Sequence, residues 1–297
     1  MKALVILFTV IFIPLGIFCQ SSDSTKTPAK KAKVYRVNYI VTGSIIGVGM
    51  VGDFFAISRL KHKLAVTDEE LLPKNLDLQR NLMNSIDRWS LHQNPADRVL
   101  YKKISDYGEI GIFLLPSLLI IDKNMRRDWL DLLMIYVEGH TVTFSMYNYS
   151  PLGPTFTNRY RPAVYYTDLA HDVRANNNSR NSFFSGHVGS CTYSTFFMVK
   201  AYCDYHPNIG AVKYLLYLAA SVPPLAIGYA RIKALDHFPS DVAVGFALGA
   251  VIGIVVPALH KVPYSRYLAL GLTTSPDEVG VSVHWKLGTG RQLALKK

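Results

Sequence analysis

The residue types best suited to chemistry sit in one stretch, Arg231-Ile-Lys-Ala-Leu-Asp-His237-Phe-Pro-Ser-Asp241. His237 and Asp241 are four positions apart, which places both side chains on one face of a helical turn. A carboxylate that holds one imidazole nitrogen leaves the other free, and more basic, to attack an electrophile. An arginine nearby can fork onto phosphate oxygens. Taken alone, the trio also reads as a capped helix start with a satisfied His–Asp pair.

Two earlier segments carry complementary groups. Phe184-Ser185-Gly186-His187 leads into an apolar helix that runs to about Cys203. Ser-Gly at a helix start offers free N–H groups and the positive helix end to an anion, and glycine permits close approach. His187, one residue further in, is placed to give a proton to a leaving oxygen. The loop Pro154-Thr-Phe-Thr-Asn158-Arg159-Tyr-Arg161-Pro162 adds two arginines. The proline biases Arg161 towards an extended backbone that aims its guanidinium outward.

The elements that must position these groups are apolar helices. The chain has 297 residues, 49% apolar and only 18% charged, and its apolar residues come in blocks. Such a pattern points to membrane helices rather than one soluble core. Spans are expected at about 37–57, 107–121, 128–147, 183–203, 214–229 and 240–259. Glycines at 43, 47 and 52 suit close helix approach in the first, and Gly245, Gly249 and Gly253 form a narrow face along the last. Asp131, Glu138 and His140 read as packing partners within the third. Leu78, Leu82, Ile86 and Trp89 recur at helical spacing in the polar stretch 60–106, which suits a helix on the membrane interface or one packed over the core. Residues 163–181 read as a polar, Asn-rich loop.

The ends differ from this body. Residues 1–20 read as a secretory signal peptide or an N-terminal membrane anchor, and 21–36 as a polar, Lys-rich linker. A helical domain then covers 37–260. The tail 261–297 contains a small β-hairpin, because Val279, Val281, Val283 and Trp285 alternate beyond a Ser-Pro-Asp-Glu turn. The formal charge of +11 suits an anionic membrane surface or a phosphorylated substrate. No zinc-finger spacing, RNA-binding signature or compact basic stripe is visible, so no nucleic-acid partner is expected. Three cysteines form neither a disulfide framework nor a metal cluster.

Arg161-Pro162, Ser185-Gly186-His187, and Arg231 with His237 and Asp241, in that order, resemble the type 2 phosphatidic acid phosphatase (PAP2) superfamily, which includes bacterial class A acid phosphatases and vanadium haloperoxidases. That family carries a lysine, six residues, then Arg-Pro; next Pro-Ser-Gly-His; then Ser-Arg, five residues, His, three residues and Asp. The resemblance spans roughly residues 85–260. It implies an all-α, membrane-associated bundle of about six helices. It implies that His237 is the nucleophile forming a phosphohistidine, Asp241 orients it, and His187 protonates the leaving group. Arg161, Arg231, Ser185 and the Gly186 amide would bind phosphate oxygens, with no cofactor and no metal. Three positions depart from the pattern: Pro154 stands where the lysine belongs, Phe184 replaces the proline and Ala230 the serine. Arg159 is expected to reach the phosphate in place of the lysine.

The function so implied is hydrolysis of a lipid phosphomonoester or pyrophosphate (a lipid A, isoprenyl pyrophosphate or phosphatidyl phosphate type). Lipid phosphate and membrane lipids are the expected partners, in a bacterial-type envelope. Basic residues in the linker and in Lys123–Arg127 put those segments on the cytoplasmic side and the site on the periplasmic side. The alternatives are a catalytically weakened member that binds lipid or assists assembly, and a vanadate-dependent haloperoxidase.

Overall fold

The computed structural model describes residues 33–151, 153–262, 268–275 and 278–285. The leader over 1–20 and most of the 21–36 linker lie outside them. Six long helices organise the described residues: α1 (Tyr39–Lys61), α2 (Arg98–Leu114, prolonged by a 3-10 segment Leu115–Ile121), α3 (Trp129–Tyr149), α4 (Gly186–Tyr205), α5 (Val212–Lys233) and α6 (Pro239–His260). Local sequence sets their starts. The Asn38 side chain accepts from Ile40 N and Val41 N at the head of α1. Pro239 opens α6, where its missing N–H costs nothing.

Helix α4 is the centre of the bundle, and every residue from Val188 to Phe197 is buried. Tyr193 and Phe197 pack with Ile135 of α3 and with Ile252 and Val256 of α6. Helices α4 and α6 meet backbone to backbone through the glycine face foreseen in the sequence. A Cβ on Gly245 would lie 2.4 Å from Ser185 O, and one on Gly249 2.3 Å from Gly189 O. Only residues without side chains permit that approach. It also joins two motifs, because the head of α4 and the head of α6 end up side by side.

Among the described residues, four helices can cross a membrane by length and composition: α1, the α2 region Pro95–Ile121, α5 and α6. Their outer faces are apolar and exposed, as at Ile40, Val48, Phe54, Leu218 and Val251, which fits a lipid solvent rather than water. Helices α3 and α4 instead fill the middle and carry buried polar pairs. His260 Nε2 lies 2.9 Å from Glu138, His140 Nε2 lies 3.1 Å from Ser194 Oγ, and Tyr39 bonds Asp131. These acids and this histidine are packing partners, as expected.

Several local expectations change. Helix α2 begins at Arg98, not Tyr107, and so includes Lys102, Ser105 and Asp106. Its charged first half resembles a surface stretch because those groups face the site described below. In α1 the close contacts fall on Gly49, against Thr141, and Gly52, against Tyr149, whereas nothing lies within 4 Å of a Cβ on Gly43 or Gly47. Residues 163–181 are not one open loop. They fold into short helical turns at Pro162–Tyr165, His171–Arg174 and Asn177–Arg180, with Val164, Ser179 and Asn181 buried. Leu78, Leu82, Ile86 and Trp89 stand exposed, divided among three short helical pieces rather than one helix. In the tail, Leu268–Ser275 and Glu278–Trp285 pair antiparallel, with Leu268 opposite Trp285.

Candidate active site

Ser185 caps α4, and its N–H donates to the Asp241 carbonyl at 3.1 Å. This bond ties the head of α4 to the first turn of α6. The Ser185 hydroxyl is fully buried and has no partner, an unsatisfied donor of the kind that awaits a ligand oxygen. Gly186 faces the ring of Tyr147, which a Cβ there would meet at 3.4 Å.

His237 is held by a backbone group. Its Nδ1 lies 2.7 Å from the Ser182 carbonyl. A carbonyl can only accept, so Nδ1 carries the proton and Nε2 keeps its lone pair. Asp241 stands one step further away, at 3.7 Å from Nδ1. Its Oδ2 accepts from the Ser182 hydroxyl at 2.6 Å and from Phe238 N at 2.8 Å. Ser182 therefore mediates between the two residues that the helical spacing paired directly. Burial lowers the His237 pKa below the ordinary imidazole value; Asp241 works against this, and Arg161 and Arg231 add to it. The turn that delivers His237 passes through Leu235, whose φ of 59° is left-handed.

Arg161 and Arg231 come from distant segments and meet at Asp236. Arg161 Nη1 is 2.9 Å from one carboxylate oxygen and Arg231 Nη2 is 3.1 Å from the other. The Nε atoms of both arginines are buried without a partner. Burial alone would push the Asp236 carboxyl up, but the two guanidinium groups hold it well below the usual carboxylate range. Arg231 also reaches α2, with Nη1 2.9 Å from Asp106 and 3.3 Å from Ser105 Oγ. His187 Nε2 faces the same helix, 3.4 Å from Asp106 and 3.2 Å from Glu109.

Arg159, expected to reach the phosphate, is engaged by two carboxylates. Its Nη1 pairs with Asp241 and bonds Ser240 Oγ at 2.9 Å, and its Nη2 lies 2.6 Å from Asp87. Both carboxylates are fully buried, so the guanidinium is committed behind Asp241. The lysine missing at position 154 has a neighbour in space. Lys63 Nζ donates to the carbonyls of Pro154 at 2.6 Å and Thr157 at 2.7 Å, and to Asn181 Oδ1 at 2.9 Å. Burial and then Arg180 lower its pKa to about 8.

The structure thus brings together Ser185, Gly186, His187, Arg161, Arg231, His237 and Asp241, and sets Arg159 behind them. It adds Ser182, Asp236, Asp106, Glu109 and Tyr147. Of these, Asp106 and Glu109 had a usable signal: with Lys102 they recur at one helical face of a segment otherwise turning apolar. Among the described residues no cluster of three or more His, Cys, Asp or Glu side chains has the geometry of a metal site.

The pattern described as the PAP2 superfamily matches residues 133–263. A phosphatidylglycerophosphatase B from Bacillus subtilis is 32% identical over 156 residues, covering 50% of this chain and 68% of the relative. A decaprenylphosphoryl-5-phosphoribose phosphatase from Mycobacterium tuberculosis is 31% identical over 173 residues, covering 57% of this chain and 84% of the relative. The crystal structure of a transmembrane PAP2-type phosphatidylglycerolphosphate phosphatase from Bacillus subtilis overlaps 73% of this chain and 94% of its own at a TM-score of 0.40 and 20% identity. The site sits at one end of an apolar bundle, and the chain is a membrane-embedded phosphatase that belongs to the PAP2 superfamily.

Proposed function

We propose that the protein hydrolyses a lipid phosphomonoester or pyrophosphate through a phosphohistidine on His237. The observation that carries this reading is the convergence of Arg161 and Arg231 beside His237, at Asp236. Phosphoryl transfer asks chiefly for positive charge and donors around the equatorial oxygens, with attacking and leaving groups in line. The two guanidinium groups supply the charge; the Ser185 hydroxyl and the Gly186 amide supply donors at the head of α4.

His237 attacks phosphorus with the Nε2 lone pair. Nδ1 keeps its proton, donated in a hydrogen bond to the Ser182 carbonyl, and Asp241 offsets the positive charge that develops on the ring. His187 protonates the departing oxygen, so a phosphomonoester releases the neutral lipid alcohol and a pyrophosphate releases the lipid monophosphate. The same imidazole, now neutral, accepts a proton from the water that attacks the phosphohistidine, which releases inorganic phosphate and restores His237. No step calls for a metal ion.

A lipid substrate is supported by the apolar exterior of α1, α5 and α6 and by the lipid phosphates named for the two relatives. The basic Lys123–Arg127 turn lies at the opposite end of α3 from Tyr147, which faces Gly186. A cytoplasmic position for that turn puts the site on the periplasmic side. The test offers a panel of lipid phosphates to purified wild type and to His237→Ala. Phosphate release by the first and not the second is expected; release by neither, or equal release by both, would sink the reading.

A further inference from the structure

We infer that Arg159 and Asp87 form a positioning pair that holds Asp241 and Ser182 against His237, without touching the phosphate. The inference rests on the reading of His237 as nucleophile. Arg159 reaches that histidine by two routes. Its backbone lies alongside residues 180–182: Arg159 N donates to Arg180 O at 3.0 Å, and Ser182 N donates to Arg159 O at 3.1 Å. This fixes the Ser182 carbonyl that accepts from His237 Nδ1. Its side chain pairs with Asp241, whose other oxygen accepts from the Ser182 hydroxyl. The guanidinium also lies over the Phe238 ring, 4.6 Å from its centre.

Asp87 completes the arrangement from outside the three motifs. It is fully buried and accepts from Arg159 Nη2 at 2.6 Å, Asn84 Nδ2 at 2.7 Å, Ser240 N at 2.9 Å and Ser240 Oγ at 2.7 Å. The bond to Ser240 N caps the free head of α6, one residue from Asp241. A fork-shaped cation is needed because two buried carboxylates, Asp87 and Asp241, face it from different directions. Removing either member leaves an uncompensated buried charge. The Arg159 donors that point at these two acids are not available to a substrate. A positioning role therefore predicts a loss in turnover and not in binding.

The experiment measures kcat, KM and inhibition by inorganic phosphate for Arg159→Gln, Arg159→Lys and Asp87→Asn, with Arg161→Gln and His237→Ala in parallel. Expected for Arg159→Gln is a kcat at least 30-fold down, with KM and the phosphate inhibition constant within threefold of wild type. Asp87→Asn follows the same pattern at about tenfold. Arg159→Lys, which keeps the charge but not the fork, recovers only part of the loss. Arg161→Gln raises KM and the inhibition constant together. Asp87→Asn keeps the side-chain shape, so it carries the test if Arg159→Gln fails to purify folded. A tenfold rise in KM and in the phosphate inhibition constant for Arg159→Gln would make it a phosphate ligand and overturn the inference. So would wild-type kcat in both Arg159→Gln and Asp87→Asn while His237→Ala is dead. Activity remaining in His237→Ala would instead overturn the underlying reading of the site.

Discussion

Asp236 joins Arg161 to Arg231, with one carboxylate oxygen 2.9 Å from the first guanidinium and the other 3.1 Å from the second. The two arginines are 70 positions apart, and one buried acid beside His237 sets the spacing between them. Replacing it leaves two buried cations facing each other. Asp236→Asn is expected to lose about 3–5 kcal/mol of stability, the usual cost of breaking a buried ion pair. Inorganic phosphate should restore more of the melting temperature in the variant than in wild type, because an anion between the arginines replaces the lost charge. Thermal melts in detergent with and without phosphate read both effects.

The pH profile follows from the surroundings of His237. Attack needs the neutral imidazole. Burial lowers its pKa, with Arg161 and Arg231 assisting and Asp241 opposing. A lowered pKa keeps the ring neutral to more acidic pH, so the acid limb assigned to His237 should fall below about 6.5, the ordinary imidazole value. Asp241→Asn removes the opposing influence. Its acid limb should move further down while kcat falls, as measured by initial rates from pH 4 to 9. An acid limb that moves up in Asp241→Asn would contradict this electrostatic account.

Lys63 occupies three acceptors around the loop where the motif lysine is absent. Hydrogen bonds from a charged group contribute about 1.5–3 kcal/mol each, and their loss would release the 154–157 loop from Asn181. Lys63→Met is expected to lower kcat/KM about tenfold. With its pKa at about 8, the ammonium loses a donor as pH rises through that value. Wild type should therefore show, beside the decline from loss of the His187 proton, a component near pH 8 that is absent in Lys63→Arg.

The α4–α6 contact admits no side chain at Gly249, where a Cβ would fall 2.3 Å from Gly189 O and 2.8 Å from the Thr192 Cβ. Gly249→Ala should destabilise by about 1–3 kcal/mol through overpacking. It should also lower activity, since the same contact sets Ser185 against Asp241. Gly43→Ala, with nothing within 4 Å, is the control expected to match wild type in melting temperature and rate.

The sequence alone determined the groups whose meaning lies in short spacing. Arg161-Pro162, Ser185-Gly186-His187, and Arg231 with His237 and Asp241 are local patterns, and each places its residues at a helix end or in a turn. The glycine face of α6 is local too, because one every four residues marks a single side of a helix. Only the tertiary structure decided the partners. The Ser182 carbonyl, not Asp241, accepts the His237 Nδ1–H hydrogen bond, since a backbone group 55 positions away arrives there only when α4 and α6 dock. Arg159 pairs with Asp87, a buried carboxylate in a segment with no motif, which no short spacing could announce. Asp106 and Glu109 face His187 because α2 packs its polar stripe inward. Charge type and helical period show that such groups share a face; which neighbour that face meets depends on packing between elements far apart in the chain.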